Sequence, residues 1–195
     1  MGDGKPRVLL LGDSIRCQYQ PLVAQQLADS AGVVGPEDNC RFSLYTLICL
    51  DRWLADLGTP SIVHWNNGLH DASHSPFRCP VQIPLDDYIG NLSLILARLR
   101  ASGAKAIVWA TSTPVHPAMQ KSPYPYWSAI RNSDIDLYNQ AAGDLMNREG
   151  IPINDLHSLV WNDYARYLGG DQLHLSPAGE EACANAVVEH VRLFL

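Results

Sequence analysis

Three short runs of apolar residues constrain the fold of this chain more than any other feature of its sequence. They are Arg7–Leu11, Ser61–Trp65 and Lys105–Thr111, and each is dense in Val, Ile, Leu, Ala or Trp rather than alternating with polar residues. A continuous apolar run of this length is typical of a parallel strand that is covered on both faces. The three runs therefore predict a parallel sheet buried between two layers of structure.

Longer segments with helical spacing lie between and after these runs. Their apolar residues recur mostly every three or four positions, which places them on one stripe of a helix. The predicted helices are Tyr19–Ser30, Leu44–Leu57, Leu85–Ser102, Asp134–Glu149 and Pro177–Leu195.

The order of these elements predicts the architecture. A short strand is expected at Ile151–Asn154, and a weak one near either Gly32–Val34 or Arg41–Tyr45. Alternating strands and helices predict an α/β fold, here a three-layer α/β/α sandwich around a flavodoxin-like, mostly parallel sheet of five strands. A chain of 195 residues is expected to form one domain, residues 1–195.

Charge and hydropathy narrow the classes of partner. The net charge is −6, with 14 basic and 20 acidic residues, so neither nucleic acid nor an anionic membrane surface is an expected partner. The sequence has no apolar run long enough for a membrane span or a signal-peptide core. It therefore predicts a cytoplasmic protein, or a secreted one if a leader once preceded it. Its oligomeric state is left open.

The five cysteines are odd in number and show no short metal-ligand spacing. Free thiols are the expectation for a chain with its own core. A disulfide such as Cys40–Cys79 is the alternative if the protein is secreted. No metal site is predicted.

Two polar segments at opposite ends of the chain could form a nucleophilic site. Ser14 lies in Gly12-Asp13-Ser14-Ile15, directly after the first predicted strand, where parallel α/β sheets bind ligands. A serine hydroxyl needs a base within hydrogen-bond reach, and a histidine oriented by a carboxylate suits that role. Asp171 and His174, three residues apart before the last predicted helix, could supply both. Either segment alone could equally be a capping turn or a surface loop.

A third polar segment, Trp65-Asn66-Asn67-Gly68-Leu69-His70-Asp71, ends the middle predicted strand. Glycine allows a close approach of the backbone, and Asn, His and backbone N–H groups can donate to an oxyanion. Taken alone, the segment could also be an ordinary polar turn.

Together the three segments resemble the SGNH (GDSL-like) hydrolases. That family has a G-D-S block after its first strand, a G-x-N-D block after a middle strand and a D-x-x-H block before its last helix. The resemblance implies a serine esterase that needs no cofactor. Ser14 would be the nucleophile, His174 the general base and Asp171 its orienting partner. The backbone N–H of Ser14 and Gly68 would help to form the oxyanion hole. Two further aspartates of these blocks would be structural, accepting backbone hydrogen bonds: Asp13 and Asp71.

The sequence departs from the family pattern at two places. The G-x-N-D asparagine, an oxyanion donor in the family, is His70 here, in the variant block G-L-H-D. Neutral imidazole has one N–H and could replace the amide, or else Asn66 or Asn67 could reach the site. The glycine of the family's second block has no clear counterpart. Asn39 and the Cys40–Arg41 backbone are the expected substitutes.

The least regular stretch, Thr113–Arg131, contains four prolines and several aromatic residues. It is interpreted as a wall or lid of the active site, or alternatively as a surface excursion. Tyr126 and Trp127 in this stretch, together with Asn67, are expected to line the substrate. Aromatic rings that could stack on a sugar favour deacetylation of a small or carbohydrate ester. The alternatives are thioesterase or lysophospholipase activity, acyl transfer to another acceptor, and a silent carbohydrate-binding module.

Overall fold

Five strands form one parallel sheet in a computed structural model, which describes residues 4–75, 77, 80–119 and 129–195. The sheet order is β2-β1-β3-β4-β5, and all four neighbouring pairs are parallel. The strands are β1 (Arg7–Leu11), β2 (Gly32–Val34), β3 (Ile62–Trp65), β4 (Ala106–Ala110) and β5 (Ile153–Asn154). This arrangement confirms the predicted α/β fold with a flavodoxin-like sheet of five strands.

Helices cover both faces of the sheet. Helices α1 and α8 pack against each other on one face, while α2, α4 and α5 pack on the other. The helices of the described residues are α1 (Ser14–Leu27), α2 (Ser43–Leu57), α3 (Leu69–Ala72), α4 (Leu85–Ala101), α5 (Asn132–Arg148), α6 (Leu156–Trp161), α7 (Tyr164–Tyr167) and α8 (Pro177–Arg192).

Strand β1 shows why an unbroken apolar run belongs at the centre of such a sheet. Val8 and Leu10 point into the core beneath α1 and α8, whereas Leu9 and Leu11 point into the core beneath α2 and α4. All four are at most 1% exposed. Because both faces of the strand are covered, both sets of alternating side chains are removed from water. Burial of apolar surface stabilises the fold by roughly 25 cal/mol per Å².

The predicted start of the first helix was wrong, whereas one of the two alternatives for the weak strand was confirmed. Helix α1 begins at Ser14, five residues before the predicted start, because the Asp13 side chain accepts a hydrogen bond from the N–H of Ile15 and caps the helix. The weak strand is Gly32–Val34, and the alternative segment Arg41–Tyr45 instead contains a turn and the start of α2.

The sheet order positions the site. The chain passes from β1 to β2 on one side and then to β3 on the other, so the loops after β1 and β3 leave the same edge of the sheet side by side. Leu11 and Trp65 are register partners at the ends of these two strands. The segments Gly12–Ser14 and Asn66–His70 therefore begin next to each other, at the kind of crevice where open α/β sheets bind ligands.

Other expectations concerned thiols, metals and membranes. Cys17, Cys40, Cys49 and Cys183 are free thiols, so Cys40 forms no disulfide, and Cys79 lies outside the described residues. No helix in the described part of the chain is long and apolar enough to span a bilayer. The same residues contain no group of three or more His, Cys, Asp or Glu side chains placed to hold a metal ion.

Candidate active site

Ser14 is the first residue of helix α1 and follows the end of β1 by three positions. Its side chain is partly exposed, whereas its neighbours Asp13 and Ile15 are buried. The first backbone N–H groups of a helix have no acceptor within the helix, and the helix dipole favours negative charge there. The hydroxyl therefore lies at an electropositive edge of the sheet.

A continuous chain of hydrogen bonds joins Ser14 to the C-terminal part of the protein. Ser14 Oγ is 2.9 Å from His174 Nε2, and His174 Nδ1 is 2.6 Å from Asp171 Oδ2. The first of these contacts joins residues 160 positions apart in sequence. The arrangement places a hydroxyl, an imidazole and a carboxylate in the order that activates a serine.

The loop that carries His174 is held in a fixed shape. Asp171 Oδ1 accepts hydrogen bonds from the backbone N–H groups of Leu173 and His174, at 3.1 and 2.9 Å. Partial burial would raise the pKa of Asp171, but hydrogen bonds from the His174 side chain and from these N–H groups outweigh burial and hold the pKa below its ordinary value. The carboxylate is therefore ionised at neutral pH and can stabilise a charged imidazole.

Gln18 ties this loop to the helix of Ser14. It lies one helical turn after Ser14 on α1, and its side-chain oxygen accepts from the N–H of Leu175 at 3.0 Å. Its amide nitrogen donates to the carbonyl of Leu175 at 3.1 Å and to Glu180 Oε1 at 2.9 Å. Because Leu175 directly follows His174, these bonds fix the imidazole relative to the hydroxyl.

Gly68 caps the short helix α3 with a backbone that other residues rarely adopt. Its φ is +149°, and a Cβ atom there would lie 2.5 Å from Ser112 Oγ and 3.1 Å from the Tyr88 hydroxyl. Both the backbone angle and the contact require glycine. The turn sends the chain from β3 directly into α3, which carries His70.

His70 lies near two other basic side chains, Arg41 and His174. Burial is the main reason that the pKa of His70 falls to about 3, and electrostatic interactions with Arg41 and His174 contribute in the same direction. The imidazole is therefore neutral near pH 7 and keeps one N–H for donation. His70 also lines a cavity of about 500 Å³ together with Asn39, Arg41, Phe42 and other residues.

Asn67 does not line the cleft, contrary to expectation. Its side chain is fully buried: the amide nitrogen donates to the carbonyl of Arg41 at 3.2 Å and to Thr46 Oγ1 at 3.0 Å, while its oxygen accepts from Trp65 Nε1 at 2.8 Å. Asn66 is also buried, and its amide donates to the carbonyl of Ala110. Neither is placed as the alternative oxyanion donor, because the amide nitrogens of both side chains donate to other acceptors within the protein.

The segment expected to supply the second donor has its N–H groups in use. The N–H of Cys40 donates to the carbonyl of Gly12 at 3.1 Å. The N–H of Arg41 donates to the side-chain oxygen of Asn39 at 2.8 Å. Asn39 itself lines the cavity beside His70. The Cys40–Arg41 backbone therefore holds the loop together in this structure rather than facing the site as a free pair of donors.

Two buried carboxyl groups brace the loops around the site. Asp13 accepts from the N–H of Ile15 at 3.0 Å, and Asp71 accepts from the N–H of Ser43 at 2.9 Å as well as from its hydroxyl. Burial raises the pKa of both, for Asp71 to about 7 against the lowering effect of the Ser43 hydrogen bonds.

The described parts of the Thr113–Arg131 stretch contact the His174 loop. The N–H of His116 donates to the carbonyl of Gln172 at 2.9 Å. Asn132 donates to and accepts from the backbone of Val115, which fixes the start of the stretch on α5. Tyr126 and Trp127 lie outside the described residues.

A family model described as GDSL-like lipase/acylhydrolase matches residues 10–182. The chain belongs to this family. It is therefore classed with acylhydrolases, enzymes that act on esters. No curated protein sequence matches the chain.

Solved structures of acylhydrolases share the fold at low sequence identity. An acetyl xylan esterase, AlAXEase, superposes with a TM-score of 0.77 at 16% identity, covering 95% of this chain and 99% of its own. A lipase/acylhydrolase from Enterococcus faecalis gives a TM-score of 0.77 at 19% identity, covering 96% and 95%. A variant of an acetyl xylan esterase from Geobacillus stearothermophilus gives 0.76 at 19% identity, covering 98% and 96%.

Two residues that follow Ser14 on α1, Arg16 and Gln18, support the site in different ways. Gln18 faces the His174 loop, and its spacing of four from Ser14 was the signal that both lie on one face of a helix. Arg16 is 3% exposed, and its guanidinium donates to the carbonyls of Gly12, Pro36 and Asp38. It braces the loop after β2, and nothing in the local sequence indicated this.

Proposed function

We propose that residues 1–195 form one domain that acts as a serine esterase on short acyl esters, above all acetyl esters of carbohydrates. The observation that carries the proposal is the hydrogen-bonded series Ser14 Oγ, His174 Nε2, His174 Nδ1 and Asp171 Oδ2, at 2.9 and 2.6 Å. The acylhydrolase family and the acetyl xylan esterases that share the fold support the class of reaction.

In the first half-reaction the oxygen of Ser14 attacks the ester carbonyl carbon while His174 Nε2 accepts the hydroxyl proton. The negative charge that develops on the carbonyl oxygen is met by the backbone N–H groups of Ser14 and Gly68 and by the neutral imidazole of His70. Asp171 stabilises the charged imidazole. His174 then gives its proton to the departing alcohol oxygen as the carbon–oxygen bond breaks, leaving the acyl group on Ser14.

In the second half-reaction water replaces the alcohol. His174 accepts a proton from the water molecule as its oxygen attacks the acyl carbon, and returns that proton to Ser14 Oγ as the acid leaves. Each proton is donated and recovered within the cycle, so the residues named here balance the reaction without a cofactor.

The decisive experiment measures hydrolysis of 4-nitrophenyl acetate and of longer acyl esters by wild type and Ser14→Ala. We expect activity to fall with chain length, and kcat in Ser14→Ala to fall by more than about 1,000-fold, because the nucleophile is lost. Ser93→Ala is the matched control, since Ser93 is an exposed helical serine of α4.

Labelling by a serine-directed fluorophosphonate supplies an independent readout. Wild type and Ser93→Ala should be labelled and Ser14→Ala should not. Equal inertness of folded wild type and Ser14→Ala towards every ester and towards the probe would contradict the proposal and leave a silent binding module.

A further inference from the structure

The cavity beside His70 is larger than an acetyl group needs. Its volume is about 500 Å³, within the range of roughly 300–1,000 Å³ that is usual for small-molecule sites. Two aromatic side chains, Phe42 and Phe77, lie in its lining with the amides of Asn39 and Gln82. Phe77 is 89% exposed, so its ring is available to a ligand. This composition suits a sugar ring, which stacks on aromatic faces and hydrogen-bonds to amides.

Arg41 adds a positive charge to the same lining. In the part of the chain that the structure describes, no carboxylate lies within 4 Å of its guanidinium, and the neighbouring Asp38 pairs with Arg52 at 3.2 Å instead. The guanidinium is 4.9 Å from the centre of the Tyr45 ring, which orients it without neutralising it. A ligand with a negative group would therefore meet an uncompensated cation on a chain whose net charge is −6.

The backbone of Arg41 is held in a conformation that a non-glycine residue seldom adopts. Its φ is +51°, its N–H donates to Asn39 Oδ1, and its carbonyl accepts from the fully buried Asn67. Conformations of this kind persist where the surroundings enforce them, and they cluster at functional sites. The loop thus fixes the direction in which the guanidinium leaves the backbone.

His70 connects the cavity to the reaction centre. It lines the cavity together with Arg41, and its imidazole interacts electrostatically with both Arg41 and His174. Because His70 stays neutral near pH 7, Arg41 is the cation that an anionic ligand would meet in this lining.

We propose that this cavity binds the saccharide part of the ester and that Arg41 selects O-acetylated saccharides that carry a carboxylate, such as acetylated uronic acids. The proposal rests on the proposed esterase function and adds its substrate class. A guanidinium presents two N–H groups in the geometry of a carboxylate, which explains the choice of a uronate over a neutral sugar.

The test compares acetate release from acetylated galacturonic acid oligomers with release from acetylated xylooligosaccharides of the same length. We expect wild type to favour the uronide by roughly 10- to 100-fold in kcat/KM, the range that a charge-assisted hydrogen bond supplies. Arg41→Gln should lose this preference and Arg41→Lys should retain part of it. Added NaCl should lower kcat/KM on the uronide alone, because salt screens exposed charges.

Arg100→Gln is the matched control, since Arg100 is an exposed arginine that pairs with Glu149 and lines a different depression on the surface. It should keep the wild-type preference. Equal rates on the two substrates in wild type, or an equal loss on both in Arg41→Gln, would overturn the proposal. Mono-4-nitrophenyl succinate, which carries its carboxylate on the acyl group, should be assayed as well. If Arg41→Gln lowered activity on this ester alone, the proposal would also be overturned, because Arg41 would then recognise the acyl group.

Binding separates this inference from the esterase proposal. Calorimetry should show that unacetylated trigalacturonate binds to Ser14→Ala. The double variant, which carries both Ser14→Ala and Arg41→Gln, should not bind it. If such binding occurs in a protein that hydrolyses no ester, the esterase proposal fails while the cavity assignment stands. If esters are cleaved without binding or preference of this kind, only the cavity assignment fails.

Discussion

At the scale of single residues, His70 is a position where the sequence is expected to depart from the pattern of its family. The resemblance to the SGNH hydrolases matches it to an asparagine that donates to the oxyanion in that family. Burial, reinforced by electrostatic interactions with Arg41 and His174, lowers its pKa to about 3. Since the pKa is depressed, the charged form exists only in strong acid, and between pH 5 and 9 the imidazole is a neutral donor with one N–H. It can therefore do what an amide does.

We predict that His70→Asn keeps kcat within about 10-fold of wild type, whereas His70→Ala lowers it by on the order of 100- to 1,000-fold through loss of an oxyanion donor. The acid limb of the pH–rate profile should not move in His70→Asn, because His70 does not titrate there. Profiles on 4-nitrophenyl acetate from pH 4.5 to 9 test this, with His190→Asn on α8 as the control. A shift of the acid limb in His70→Asn alone would show that His70 titrates near neutrality.

Asn67 shows why sequence could not assign every residue of the site. Ser14, Asp171 and His174 were named from short motifs, and the structure brings their side chains together. Asn67 was predicted beside them from a polar turn, but its side chain points to acceptors contributed by Arg41 and Thr46. Those partners are distant in sequence, so the local pattern could not distinguish a cleft residue from a buried one.

At the scale of elements, the long helices and central strands were predicted from periodicity because each buries a continuous stripe or run. Strand β1 has the predicted bounds, Arg7–Leu11. The short helices α3, α6 and α7, of four to six residues, were not predicted, because fewer than two turns contain too few residues to show a period. The early start of α1 was missed because its first turn contains polar residues such as Ser14 and Arg16 and shows no clear apolar stripe.

Gln18 links two of these elements at the site. Both backbone groups of Leu175 are hydrogen-bonded to its side chain, which holds the loop before α8 against α1. A residue that positions His174 in this way acts on the reacting geometry rather than on substrate binding. A misplacement of about 1 Å can reduce turnover by roughly 100-fold.

We predict that Gln18→Met, which keeps the length of the side chain and removes its hydrogen bonds, lowers kcat by about 10-fold or more while KM changes little. Gln26→Met is the matched control, because Gln26 bonds to Asn185 and so joins α1 to α8 far from the site. Steady-state kinetics, the rate of fluorophosphonate labelling and denaturant unfolding should be measured on both variants. If Gln18→Met loses stability to the same extent as Gln26→Met and keeps its kcat and labelling rate, Gln18 has only a structural role.

At the scale of the whole molecule, the sheet order brings together segments from both ends of the chain. The loops after β1 and β3 emerge side by side, and α8 packs along α1, so that the loop before α8 returns to Ser14. This much follows from an α/β pattern with a reversal of strand order. The cavity lined by Arg41, His70 and Phe77 does not follow from it, because its walls are loop residues whose directions depend on local backbone angles.

The buried carboxyl group of Asp71 makes the stability of the molecule depend on pH. Asp71 is fully buried, and burial raises its pKa to about 7 despite hydrogen bonds from Ser43. In the unfolded chain its pKa returns to about 3.9. Between these two values the folded protein retains a proton that the unfolded chain has released. Because the folded state then binds more protons, the free energy of unfolding falls as pH rises from about 4 to 7 and levels off above that range.

We predict that Asp71→Asn removes this contribution, because an amide does not ionise. At pH 4.5 the variant should be less stable than wild type, since the neutral carboxyl of wild type fits its Ser43 partners better. Between pH 4.5 and 7.5 the free energy of unfolding of the variant should rise relative to that of wild type by on the order of 1–3 kcal/mol. The slope should be at most about 1.4 kcal/mol for each pH unit. Urea unfolding at several pH values measures the difference. Asp56→Asn, an exposed change on α2, should show no such trend. A difference between Asp71→Asn and wild type that stays constant with pH would mean that Asp71 ionises normally in the folded protein.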